Sequence, residues 1–153
     1  MRRDLLPLIL GFLIGGCDQN QQVTSPSPSS SRGAVLFQTY CAACHQPDGK
    51  GTPGRIPPLA GSPWVSGSED RIIRIVLHGL RGPIEVNGAT FEVEMLGFGP
   101  VLSDEEVADV LTEVRSRFGN VDKPILPEKV TRVRQATKDR IGYWTVAELL
   151  EVP

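Results

Sequence analysis

Cys41-Ala42-Ala43-Cys44-His45 sets two thiols three positions apart with an imidazole directly after the second. One turn of helix places both sulfurs where they can add to the two vinyl groups on one edge of a porphyrin, and it leaves the histidine beneath the iron as an axial ligand. The spacing therefore points to covalent attachment of a c-type haem. Three other readings use the same residues. One is a disulfide between the two cysteines. Another is half of a zinc site, but such sites take a second ligand pair, and the only other cysteine is Cys17. The third is a thioredoxin-like redox pair, which wants a preceding strand and a βαβ setting that the flanking sequence does not offer.

Further residues on either side carry a resemblance. They are Gly33 and Phe37, CAACHQPDGKG from Cys41, PPLAGS from Pro57, IVLHGLRGPI from Ile75, and MLGFGPVLSDEEVADVLTEVRSRFGN from Met95. In these residues the chain resembles bacterial class I cytochromes c, especially the small ones found beside periplasmic dehydrogenases and oxidases. The resemblance covers Arg32 to Asn120. It implies one covalent haem c held by Cys41 and Cys44, with His45 as the proximal ligand and a methionine sulfur as the sixth ligand. It places that methionine in a loop just before the last core helix.

Met95 is the only methionine besides Met1 and follows His45 by fifty residues, so it is the candidate sixth ligand; the alternative is a core-filling side chain. The family carries proline after this methionine, whereas Leu96 follows here, and the fixed φ of a proline is lost. His78 is the one nitrogenous competitor for the distal position. Its place at the end of an expected helix favours an imidazole electrostatically, which gives it a capping or solvent-exposed role instead. Pro57, twelve residues after His45, matches the proline whose carbonyl accepts the proximal histidine's Nδ1–H, and it also reads as part of a stiff Pro57-Pro58 loop.

The elements that must position these groups are legible as patterns. Arg32 to Cys44 reads as a first helix with Gly33 and Phe37 one turn apart, and by resemblance that face crosses the last core helix. Glu69 to Leu77 is a shorter apolar helix stopped by Gly79. Asn87-Gly88 signals a small hairpin joining Ile84-Glu85-Val86 to Thr90-Phe91. Ser103-Asp104-Glu105-Glu106 forms a capping box. Val107, Val110, Leu111, Val114 and Phe118 then recur at helical spacing, ending near Gly119. After Asn120 the chain is expected to form an extension, residues 121 to 153. It holds a charged surface helix over Glu128 to Asp139 and a last short helix capped at Thr145, with Trp144 and Leu149 packed back on the domain. The implied fold is all-α, a class I cytochrome c fold around a covalent haem with a small β-hairpin and a C-terminal extension. A domain this small has a marginal core that the porphyrin completes.

Residues 1 to 16 read as a signal peptide. Arg2-Arg3 is the positive n-region, Leu5 to Ile14 the apolar h-region, and Ile14-Gly15-Gly16-Cys17 resembles a lipobox, with Cys17 the lipidation candidate; the alternative is an ordinary signal with an incidental cysteine. Residues 17 to 31 are Gln, Ser, Pro and Thr-rich and read as a flexible tether. Removal of residues 1 to 16 takes away two Arg and one Asp, leaving a net charge of −3 before haem propionates. That balance gives no basis for nucleic-acid binding. The reading is a one-electron carrier on the periplasmic side of a bacterial membrane, lipid-anchored, meeting dehydrogenase or oxidase partners, and not an enzyme by itself. The rivals are a haem enzyme or gas sensor with a labile distal site, which the departure at Leu96 would permit, and a cytochrome subunit of a dehydrogenase or oxidase complex.

Overall fold

The computed structural model describes residues 28 to 152. The expected signal peptide, Cys17 and most of the expected tether lie outside the described residues. In order the elements are α1 (Pro28–Tyr40), α2 (Ala42–His45), α3 (Pro63–Ser66), α4 (Glu69–His78), β1 (Gly79–Val86), β2 (Ala89–Leu96), α5 (Asp104–Ser116), α6 (Pro127–Ala136) and α7 (Val146–Leu150).

Helix α1 begins four residues earlier than the sequence pattern suggests, inside the stretch read as tether. Proline is tolerated in a first turn because its missing N–H has no helical partner there. The helix also stops before the haem motif. Cys41, at φ −116° and ψ −37°, separates α1 from the single turn of α2, so the expected continuous helix to Cys44 is two pieces. The face carrying Gly33 and Phe37 crosses α5, as expected. Phe37 is fully buried and its ring lies 5.1 Å from that of Phe118. At the far end of that crossing Arg32 pairs with Asp109.

Helix α5 starts at the Ser103 capping box, where the Ser103 hydroxyl accepts from Glu106 N and the Glu106 carboxylate accepts from Ser103 N at 2.9 Å. Its apolar residues Val107, Val110, Leu111 and Val114 are buried with Leu36 and Phe37 of α1 and Ile72, Ile73 and Leu77 of α4. Each such side chain contributes on the order of 2 kcal/mol when withdrawn from water. Gly79 ends α4 at φ +82°, a left-handed conformation that a side chain would strain, and turns the chain into β1.

The hairpin is longer than its sequence signal. Asn87-Gly88 does make the turn, but eight residues pair on each side, from Val86↔Ala89 out to Gly79↔Leu96. Burial alternates along both strands: Leu80, Ile84 and Val86 of β1 and Phe91 of β2 are buried, while Arg81, Glu85, Glu92 and Glu94 face solvent. The described chain is therefore helical with one two-stranded antiparallel sheet, not purely α.

The segment after Asn120 is no appendage. Ile125, Val130 and Val133 belong to the same buried cluster as Phe37 and Val107, and Leu149 joins a second cluster with Ile75, Leu80, Ile84, Val86 and Phe91. The helix expected to be a charged surface element thus hides an apolar stripe on α6. Trp144 bridges Leu80 as a short parallel row along the free edge of β1.

Candidate functional site

Between the helical cluster and the hairpin cluster lie two adjoining cavities. Their linings share Cys41, His45, Pro57, Leu80, Met95 and Phe98. Helix α4 builds both walls, because Ile72, Ile73 and Leu77 point into the helical cluster and Ile75 into the hairpin cluster. Apart from His45, Ser62 and Trp64, the larger share of the inner lining is aliphatic or proline. This is the surface a flat apolar macrocycle would cover.

His45 stands where α2 meets the cleft. Its Nδ1 lies 3.2 Å from Pro57 O. A carbonyl can only accept, so Nδ1 carries the proton and Nε2 keeps its lone pair. Burial holds the imidazole below its ordinary pKa, with the Pro57 bond acting in the opposite sense. The ring is therefore neutral and in the tautomer that an iron ligand needs. Burial, and then the neighbouring Cys44, pushes the Cys41 thiol up to about 11. A thiol so raised is a poor thiolate at neutral pH, which disfavours the redox-pair reading. Among the described residues no group of three or more His, Cys, Asp or Glu is arranged to hold a metal ion.

Met95 reaches the same cleft from β2. The sequence reading placed it in a loop; it is the penultimate residue of a strand, opposite Leu80. Leu96 keeps the free φ that the family's proline would lack, and pairing runs on to Gly79↔Leu96. The twofold period of the strand puts Met95 on the inner face with Phe91 and Val93, and turns Leu96 outward.

His78 is not in either lining. Its Nε2 is 2.8 Å from Thr137 Oγ1, and that hydroxyl donates to Val133 O at 2.8 Å, so His78 is the donor. It stands in the last turn of α4, half-buried against α6 and Trp144, so of the two expected roles the solvent-exposed one does not hold. Lys50 and Arg74 pair with Asp48 and Asp70.

Three site-building residues gave no sequence signal. Trp64 lines the inner cavity and donates from Nε1 to Glu85 O at 2.9 Å, tying α3 to the hairpin. Asn120, 4% exposed, accepts from Gly61 N and donates to Leu59 O and Val114 O, fixing the loop that supplies Leu59 to the cleft. Arg115, equally buried, donates to Val65 O at 2.6 Å and also to Gly67 O and Lys123 O. Polar groups buried this deeply must find partners, but nothing local announces which carbonyls those will be.

A helical shell closed by a hairpin over an apolar cleft, with a CxxCH motif at its mouth, defines a small protein built to enclose a covalently attached macrocycle. The family model for cytochrome c matches residues 30 to 116. Cytochrome c-552 of Thermus thermophilus is 38% identical over 111 residues, covering 67% of this chain and 83% of that protein. The gluconate 2-dehydrogenase cytochrome c subunit of Pantoea cypripedii is 35% identical over 114 residues, covering 73% of this chain and 26% of the subunit. The fructose dehydrogenase cytochrome subunit of Gluconobacter japonicus is 30% identical over 126 residues, covering 78% and 25%. The chain belongs to the cytochrome c family: it is a bacterial class I c-type cytochrome, an electron-transfer protein that binds haem c covalently.

Proposed function

We propose that this cytochrome is a monohaem carrier exported to the periplasmic side of a bacterial membrane, anchored there by lipid on Cys17, and that it passes single electrons between redox proteins such as a dehydrogenase or an oxidase. When bound, the haem supplies a one-electron Fe(III)/Fe(II) couple. Cys41 and Cys44 hold it by thioether bonds. His45, its tautomer set by Pro57, offers Nε2 to the iron, and Met95 offers the thioether that favours the ferrous state and raises the potential. The observation that carries this reading is that His45 of α2 and Met95 of β2 line the same two cavities. Reversible one-electron transfer asks for no substrate pocket, so the chain acts as a carrier and not as an enzyme by itself. The basic n-region, apolar h-region and Ile14-Gly15-Gly16-Cys17 support export and anchoring. The tether rich in Ser, Pro and Gln then lets the domain search near the membrane at raised local concentration. Relatives that are cytochrome subunits of dehydrogenases support a dehydrogenase partner; this chain spans about a quarter of their length.

The ferric holoprotein is expected to show the weak methionine-to-iron charge-transfer band, and Met95→Ala to remove it and lower the midpoint potential. An unchanged spectrum and midpoint in Met95→Ala, or tight carbon monoxide binding by the reduced wild type, overturns the ligand set in favour of a sensor or enzyme with an open distal site. Labelled palmitate is expected in the membrane-bound wild type and not in Cys17→Ala. An unlabelled, freely soluble wild type removes the anchor from the proposal.

A further inference from the structure

Met95 sits at the open end of a two-stranded hairpin whose other end is tied to α3 by Trp64 and Glu85 O. An isolated two-stranded hairpin is marginal in water, and among the described residues no strand pairs with the outer edge of β2. Leu96 supplies none of the stiffness that a proline would bring at that position. On its C-terminal side the backbone of Met95 is held by Phe98 N and Gly99 N, which donate to Val76 O and Leu77 O at 2.8 and 3.0 Å; along the strand itself, whatever supports it must act through β1.

The C-terminal segment does so. Trp144 N donates to Gly79 O at 3.1 Å and Arg81 N donates to Trp144 O at 2.9 Å, so Trp144 docks beside Leu80, the register partner of Met95. Three rows then stand side by side, Trp144, Leu80 and Met95. Tyr143 presses on the same place from outside. Its ring lies 4.7 Å beneath the Arg81 guanidinium, and Arg81 donates to Glu94, the residue before Met95, at 2.9 Å. A Cβ at Gly79 would meet Met95 O at 2.2 Å and Tyr143 Cδ1 at 2.6 Å, so the tail ring and the Met95 carbonyl close on one point of β1 from two directions. The docked segment is itself braced. Arg140 stacks 3.5 Å over the Trp144 ring, donates to Tyr143 O at 2.6 Å and forks onto Glu148 at 2.9 Å. Glu148 in turn closes the capping box of α7 with Thr145. All of this lies beyond the stretch matched by the family model, which ends at residue 116.

We propose that Tyr143 and Trp144 are positioning residues for the Met95 sulfur: docked on the edge of β1, they fix the strand that presents the thioether and replace the rigidity missing at Leu96. The proposal rests on the reading of Met95 as the axial ligand. Trp144 acts through its ring and backbone, because its Nε1 makes no hydrogen bond in the described chain. Phenylalanine is therefore expected to substitute for it.

The experiment uses the full-length holoprotein and imidazole as a competing ligand for ferric iron. In Tyr143→Ala/Trp144→Ala the charge-transfer band weakens and imidazole affinity rises about tenfold, the scale on which outer supports of a metal ligand act. Trp144→Phe keeps wild-type values. Val130→Ala, which destabilises the fold far from the hairpin, leaves both readouts in place. In a Met95→Ala background the tail substitutions change imidazole affinity no further. If Met95→Ala itself keeps the band, the ligand reading fails. If Met95→Ala loses the band but the double variant keeps it with unaltered imidazole affinity, the positioning proposal fails and the ligand reading stands. Should the double variant take up no haem, Tyr143→Leu, which removes the ring under Arg81 and keeps the backbone bonds, decides the matter by the same affinity.

Discussion

Gly33 of α1 rests on the carbonyl of Asp109 in α5: a Cβ built on it would lie 2.4 Å from Asp109 O and 2.9 Å from Glu113 Cβ. Two helix backbones touch there, and the contact sets how deeply Phe37 enters the core. Alanine at 33 would gain about 1 kcal/mol of helix propensity. Against that stands a backbone oxygen that cannot rotate away, and overpacking of this kind costs about 1 to 3 kcal/mol. The clash wins. Gly33→Ala is expected to lower the melting temperature of the holoprotein by a few degrees. Gly33→Val, with a smaller propensity gain and a larger side chain, should lower it by on the order of 10 °C. Thermal unfolding followed by circular dichroism checks both, and a stabilised Gly33→Ala would refute the argument.

What could be read from the residues, and what could not, divides by range. The Ser103 and Thr145 capping boxes, the stop at Gly79 and the turn at Asn87-Gly88 are each specified within four residues, and each forms. The hairpin's full length was hidden because Gly82, Pro83, Glu92 and Glu94 are poor strand formers. They are tolerated because the exposed face of a short ribbon asks little of them. The resemblance implies a loop at Met95, whereas the strand runs on through Leu96, opposite Gly79. The tail was legible in part: Trp144 and Leu149 pack back on the domain and Thr145 caps a short helix, as expected, but their partners were not. Trp144 meets Leu80 and His78 meets Thr137 across about sixty residues of sequence, and no local pattern encodes such a meeting.

His78 gives the chain a stability slope just below neutrality. Burial first, then the charges of Arg140, Arg134 and Arg74, hold its pKa below 6.5 in the folded protein. In the unfolded chain the ring titrates near 6.5. Above that value both states are neutral and the contribution is complete. As pH falls below 6.5 the unfolded state takes up the proton first, so stability drops until the folded pKa is passed. Asp70 and Asp104 do not confuse the window. Burial works to raise both carboxyls, but the bonds from Lys129 to Asp70, and from Thr131 and Arg134 to Asp104, leave them below 3.8. Melting temperatures of wild type and His78→Gln, which keeps an amide donor toward Thr137, are expected to diverge between pH 7.5 and 5.5 on the order of the protonation change, with the wild type losing more. Parallel profiles would show that the imidazole does not titrate against folding.

Whether the segment after Asn120 is core or ornament is decided by α6. Val130 is fully buried and Val133 nearly so, both in the cluster that holds Phe37 and Val107, while Arg132 between them is exposed. One helix thus carries an apolar stripe and a solvated face, and the two should respond differently to the same truncation. Val130→Ala removes two methyl groups from a packed site and leaves a void, at a cost of about 2 kcal/mol. Arg132→Ala touches neither the cluster nor a partner and should stay within about 0.5 kcal/mol of wild type. Denaturant unfolding of the two holoproteins measures the difference directly. Equal midpoints would mean that α6 merely lies on the surface; the expected gap means that the cytochrome core of this chain extends past Asn120.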